Sequence, residues 1–427
     1  MYFLMDVVRE LDLSAITRVY ERSDRGYPPF HPRMMTCLLI YSYCMGVRSS
    51  RQIAQRCERD AAWRVIVGSD LPDFRTINLF RKTHLAAFSE LFLQVLQVCR
   101  EAGLVKLGHV SLDGTKIKAN ASRHKAMSYG RMKEEEERLK REIAELTAQA
   151  ESEDVAEDAR HGREARGDEL PEELARRQSR LRRIQQAKAA LEERARMEAE
   201  REAAEKAKGS EEPKEPPAGG TPAEASPVQV EDKAQYNFTD PQSRIMKANN
   251  KGWDQCGNAQ AVVDSGHQII VAADVTAQAN DSRQVEPMLG QAQRNVGQEV
   301  RIRKASLDAG YFSEANVQWL EQEKIDGYVA TGRLKHGERV AAAPRGRIPK
   351  GLSLKERMAR KLRTLKGRAI YARRKAIVEP VFGQIKRVMG FTQFLLRGLE
   401  QMRGEWRLVC LSHNLRKLFG ARSTALG

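Results

Sequence analysis

Cysteine is sparse and scattered. The six residues (Cys37, Cys44, Cys57, Cys99, Cys256, Cys410) form no Cys-x-x-Cys pair and no dense framework. That spacing excludes a disulfide scaffold and a structural zinc site, and it fits a reducing compartment. His109, His267 and His413 have no metal-ligand spacing either, and read as structural. Long apolar runs are missing too, with none approaching the roughly 18 residues that a membrane span requires. The opening MYFLMDVVRE has no basic segment leading into a long apolar core, so no signal peptide is expected. A cytoplasmic protein with no membrane partner is the expectation.

What the chain has in excess is positive charge. Lys and Arg number 73 against 57 Asp and Glu, a formal net charge of +16 and a pI of about 9.6. Such a balance favours polyanionic partners, nucleic acid first among them. At 427 residues the chain has room for two or three domains and a sizeable core.

Helical patterning runs from residue 1 to about 105. The segment PRMMTCLLIYSYCMGVRS is apolar nearly all round and predicts a buried helix. Two short helical segments, capped near Ser49 and Ser50 and broken at Pro72 and Asp73, lead to Arg75, Asn78, Arg81 and Lys82. This resembles a helix-turn-helix reader with Arg75 and Arg81 on DNA; the plainer alternative is helical packing with a solvated basic face.

At Gly108 the pattern turns strand-like, and GHVSLDGTKIKANAS predicts a strand and turn. From about Met127 to Lys208 the chain is rich in Glu, Arg, Lys and Ala. It carries apolar stripes (Leu139, Ile143, Leu146; Leu170, Leu174, Leu181, Ile184, Leu191), which predict an antiparallel, coiled-coil-like helical hairpin. A Pro-, Gly- and Glu-rich stretch follows and predicts a disordered linker. Beyond Tyr236 come a hairpin turning at Asp264, a helix capped by Asn280 or Asp281, a strand ending at Asp308, a helix capped by Ser313, another strand, a basic stretch and two final helices. Without the charged insertion this is a mixed α/β order compatible with a ribonuclease H-like sheet.

Three carboxylates stand out: Asp113 before Gly114, Asp308 where a strand ends, and Glu379 between Val378 and Pro380. Carboxylates without a Cys or His cluster suit hard, oxygen-loving cations such as Mg²⁺. Two such ions activate a nucleophile and stabilise the leaving oxygen in phosphoryl transfer. Lys116 and Lys118 lie close enough in sequence to touch phosphate. Taken singly, each acid is more often a turn or cap residue.

In combination, LDGTKIKANAS, DAGYF and VEPVFGQIK resemble the first Asp, second Asp and Glu blocks of bacterial insertion-sequence transposases of the DDE type. Lys386, seven residues after Glu379, matches a basic residue on the same helix of that family. Tyr371 and Arg374 stand one residue out from its usual tyrosine and arginine. YPPFHPRMM and LPDFRTINLFR are similar to its helical DNA-binding domain.

The resemblance implies four segments. These are a helical DNA-binding domain over 1–105, a ribonuclease H-like catalytic domain over 106–126 and 234–420, a charged helical insertion over 127–208 and a linker over 209–233. It implies that Asp113, Asp308 and Glu379 hold two Mg²⁺, with Mn²⁺ as substitute. Lys116, Lys118, Tyr371, Arg374, Lys375, Lys386 and Arg387 would contact DNA. The partners implied are the element's terminal inverted repeats, target DNA and a second copy of the chain, in a nucleoid-associated setting. A hydrolysis-only nuclease of the same fold and a non-catalytic DNA-binding protein are the alternatives.

Overall fold

Three of the N-terminal helices start on side-chain caps. The computed structural model describes residues 1–21, 30–161, 172–209, 229–247, 252–297, 299–332 and 342–426. Helices α1 (Tyr2–Glu10) and α2 (Ser14–Glu21) precede α3 (Pro32–Cys44), which has Pro32 in its first turn, where a missing N–H costs little. The apolar circumference of α3 is buried over most of its length, as its sequence requires. Asp60 ends α4 (Ser50–Arg59) and caps α5 (Ala61–Val67), accepting from Ala62 N at 3.0 Å. Asp73 caps α6 (Phe74–Thr83) through Thr76 N at 2.6 Å, and α7 (Leu85–Glu101) buries the stripe Phe88, Leu91, Phe92, Val95, Leu96.

The sheet begins with β1 (Val110–Lys118). Residues 1–120 and 242–427 form one compact unit, and residues 121–241 a second. In the second unit, β2 (Ala126–Ser128) leads into α8 (Tyr129–His161); α9 (Glu172–Gly209) then runs back to β3 (Gln235–Asn237), which pairs with β2. The two helices are antiparallel: Tyr129 bonds Glu192, Lys188 pairs with Glu136 and Arg177 with Glu142. Met132, Leu139, Ile184, Ala187 and Leu191 make their apolar seam. The predicted hairpin is therefore present. The glycine-containing stretch between its helices (162–171) and most of the expected linker (210–228) lie outside the described residues.

The first unit continues with β4 (Arg244–Lys247), β5 (Trp253–Asp264), β6 (Ile270–Thr276), α10 (Val285–Val296), β7 (Lys304–Leu307), α11 (Glu314–Gln322) and β8 (Asp326–Val329). Helices α12 (Leu354–Arg363), α13 (Leu365–Gly383) and α14 (Leu399–Leu426) complete it. Strand β5 pairs antiparallel with β1 along one edge and with β4 and β6 along the other; β1, β7 and β8 run parallel. Helix α13 lies on β1 and β7, α10 on β5 and β6, and α14 packs between β6 and helices α3 and α7. Among the described residues no helix is long and apolar enough to cross a membrane.

Asp113 and Gly114 depart from their predicted setting at a strand end and turn. Both lie mid-strand, because β5 pairs with β1 from Val110 through Lys118. The glycine serves close approach rather than a turn, as described below.

Two histidines couple this fold to pH. Burial pushes His109 and His413 down to about 4; His109 shares a hydrogen with Ser306 Oγ at 3.0 Å, and His413 donates to Gln268 O at 3.0 Å. Both are neutral in the fold and protonate more readily once unfolded, where the ordinary value is about 6.5. Their stabilising contribution is complete above about pH 6.5 and declines as pH falls toward 4. Denaturant titrations should lose about 2–3 kcal/mol per histidine between pH 7 and 4.5. A stability independent of pH over that window would refute this assignment.

Candidate functional site

Parallel pairing of Leu112 with Leu307 brings the next residue of each strand, Asp113 and Asp308, side by side. Asp308 closes β7 and caps the short turn Ala309–Tyr311, accepting from Gly310 N at 2.8 Å. The Asp113 side chain is 19% exposed. Burial pushes its carboxyl up to about 6; Arg374, 3.0 Å away, pulls it down and Asp308 pushes it up. Arg374 comes from α13, one turn after Tyr371, whose ring lies 6.0 Å from the guanidinium. Lys386, in the π-helical turn ending α13, donates to Thr115 Oγ1, and burial lowers its ammonium. Asp113, Asp308, Tyr371, Arg374 and Lys386 are thus brought together.

Glu379 is not. Five residues beyond Arg374, it points about 140° further round the helix and is exposed. The following Pro380 has no N–H for Ala376 O, and Gln268 Nε2 takes that oxygen at 2.8 Å. Among the described residues, no three His, Cys, Asp or Glu side chains stand close enough to hold a metal ion.

The other expected DNA contacts divide by burial. Lys118, Lys375, Arg387 and Arg75 are exposed. Arg75 and Arg51 flank the Phe74 ring, at 5.6 and 5.1 Å, on a groove also lined by Ser49, Ser50 and Asn78. Lys116 is committed elsewhere, pairing with Asp281 at 3.2 Å. Arg81 requires correction as a DNA contact, since it is 3% exposed. It follows Ile77, Phe80 and precedes His84 on the inward stripe of α6, and donates to Tyr43 Oη, Arg48 O and Asn78 Oδ1.

Asp281 also differs from its expected role as a helix cap. Its carboxylate makes no cap and instead accepts from Asn258 Nδ2 at 2.6 Å, Gln260 Nε2 at 2.8 Å and Lys116 Nζ at 3.2 Å. These groups lie over Gly114. A methyl group there would overlap Gln260 Nε2 and sit 3.0 Å from both Asn258 Oδ1 and Asp281 Oδ1, so only glycine permits the approach. The available signal was Asn258 and Gln260, polar at alternate positions within the otherwise small or apolar run Cys256–Val263.

Residues 219–415 match the family described as Transposase DDE domain, and residues 2–83 match the family described as Transposase domain (DUF772). The chain is therefore a transposase, and the strand arrangement around β5, β1 and β7 is the ribonuclease H-like fold that a DDE domain implies. More narrowly, the two matches indicate an insertion-sequence transposase of the DDE type. The DDE match includes Asp308, Glu379 and Asp281 and begins after Asp113. No curated protein and no solved structure matches the chain.

DDE transposase domains generally use a divalent metal, and transposases bind DNA. The donors at Asp113 and Asp308 suit such an ion: both are carboxylate oxygens, and Asp113 is raised by burial and by its neighbour's charge. A hard cation relieves that repulsion.

Proposed function

We propose that this transposase cleaves DNA at the ends of an insertion sequence and joins the freed 3′-hydroxyl to target DNA. The observation carrying the reading is the adjacency of Asp113 and Asp308 beside Arg374. The two aspartates would hold Mg²⁺, with two ions in the full site and Mn²⁺ as substitute. When bound, the metal supplies nucleophile activation and charge neutralisation at the scissile phosphate.

The chain's own side chains do the rest. Arg374 and Lys386, both half-buried, orient phosphate oxygens where partial desolvation strengthens each contact. Tyr371 supports Arg374 from its ring face. Lys118, Lys375 and Arg387, exposed, add salt-dependent affinity along the backbone. In this reading residues 1–105 grip DNA through the groove around Phe74. Pairing two terminal inverted repeats calls for at least two copies of the chain. Glu379 stands outside the aspartate pair and is not assigned a ligand role.

A pre-cut duplex bearing a terminal inverted repeat tests the reading. Incubated with target DNA and Mg²⁺, it should yield joined strands. Nicking without joining would favour the hydrolytic nuclease. Binding with neither would reduce the protein to a DNA-binding one.

A further inference from the structure

We propose that Asp281 is a positioning residue that sets the placement of Asp308 relative to Asp113, acting through Gln260 and Tyr311. The inference rests on the reading of those two aspartates as the reacting site. The chain of contacts is continuous. Asp281 receives Gln260 Nε2; Gln260 Oε1 in turn accepts from the hydroxyl of Tyr311, three residues after Asp308. Tyr311 N donates to Asp308 O at 3.3 Å, closing the turn that the Asp308 carboxylate caps. A second tie runs parallel to the first, where Asn316 Nδ2 bridges Ser282 O at 2.5 Å and Tyr311 O at 2.7 Å. The segment carrying Asp281 and the turn carrying Asp308 are therefore held together by two sets of hydrogen bonds.

The geometry determines each group's direction. Asn258 Nδ2 donates to both Asp281 Oδ1 and Gln278 O, which fixes its amide. Gln260 is wholly buried and engaged at both ends, so it has one orientation compatible with Asp281 as acceptor and Tyr311 as donor. Tyr311 is wholly buried as well, and the charges of Asp281, Asp113 and Asp308 all reach its hydroxyl. A point one methyl group out from Gly310 lies 3.1 Å from Asp308 Oδ1 and 3.5 Å from Asp281 Oδ2, so the two carboxylates flank the same turn. An amide at 281 keeps the volume and the Oδ1 acceptor, but it loses the charge that pairs with Lys116 and puts an NH₂ group in place of Oδ2, which Lys116 Nζ also approaches, at 3.5 Å.

The test uses the full chain and two readouts: Mn²⁺ affinity by electron paramagnetic resonance, and the kcat and KM of end nicking. Asp281→Asn and Tyr311→Phe should each weaken Mn²⁺ and lower kcat by about tenfold or more, with KM for DNA within about twofold. The double variant should lose little beyond the worse single, because both act along one path. Wild-type Mn²⁺ affinity and kcat in either single variant, or losses that multiply in the double, would overturn the inference. Should Asp281→Asn fail to melt cooperatively, Tyr311→Phe alone decides it by the same measure. Undiminished nicking in Asp113→Asn would instead overturn the proposed function, and this inference with it.

Discussion

Asp308→Asn is expected to bind the element's ends as the wild type does and to lose Mg²⁺-dependent nicking on the order of a thousandfold. The fold should survive, because the amide oxygen of Asn still accepts from Gly310 N and the turn after β7 stays capped. What disappears is one of two negative charges, which lowers attraction for a divalent cation and removes an oxygen from its reach. A gel shift with an end duplex, run beside a nicking assay, separates the two effects. Nicking within tenfold of wild type would remove Asp308 from the reacting site. Lost end binding would mean that the substitution disturbed more than the chemistry.

The second large effect is on stability. Arg81→Ala should destabilise the protein by about 2–4 kcal/mol, because it removes three buried hydrogen bonds and the charge that opposes the burial of Glu405. Glu405 on α14 is fully buried; it accepts from Tyr43 Oη at 3.1 Å and from Leu395 and Leu396 N at 2.9 and 3.3 Å. Burial pushes its carboxyl up, and the charge of Arg81, reached through Tyr43, opposes that. The network ties α3 and α6 to α14, so its loss loosens the helical region from the sheet. Guanidinium titration measures the cost, and a change below about 1 kcal/mol would refute it. Arg75→Ala, by contrast, should leave stability within about 0.5 kcal/mol and reduce the salt slope of DNA binding by about one.

These two arginines mark where sequence reading stopped. Both sit in LPDFRTINLFRK, each between a phenylalanine and a polar residue, and the local sequence treats them alike. Only the inward run of Ile77, Phe80 and Arg81 on α6 separates a buried ion from an exposed one. The place of Asp308 at a strand end was legible because a strand running into a small-residue turn has a local signature. The charged hairpin was legible for the same reason, since its apolar stripe recurs at helical spacing. Of the two cap candidates, Asn280 accepts from Ser282 N, while Asp281 does not cap, because a local pattern cannot reveal that Lys116, Asn258 and Gln260 arrive from two strands.

Local chemistry along the chain was enough to determine the order of helices and strands, the charged insertion and the basic character. Periodicity and capping act over a few residues and leave their record there. The burial of Arg81, the pairing of Lys116 with Asp281 and the outward direction of Glu379 were decided only by tertiary structure. Each depends on which face a helix or strand turns toward elements far away in the chain, and that is settled by packing the whole sheet at once.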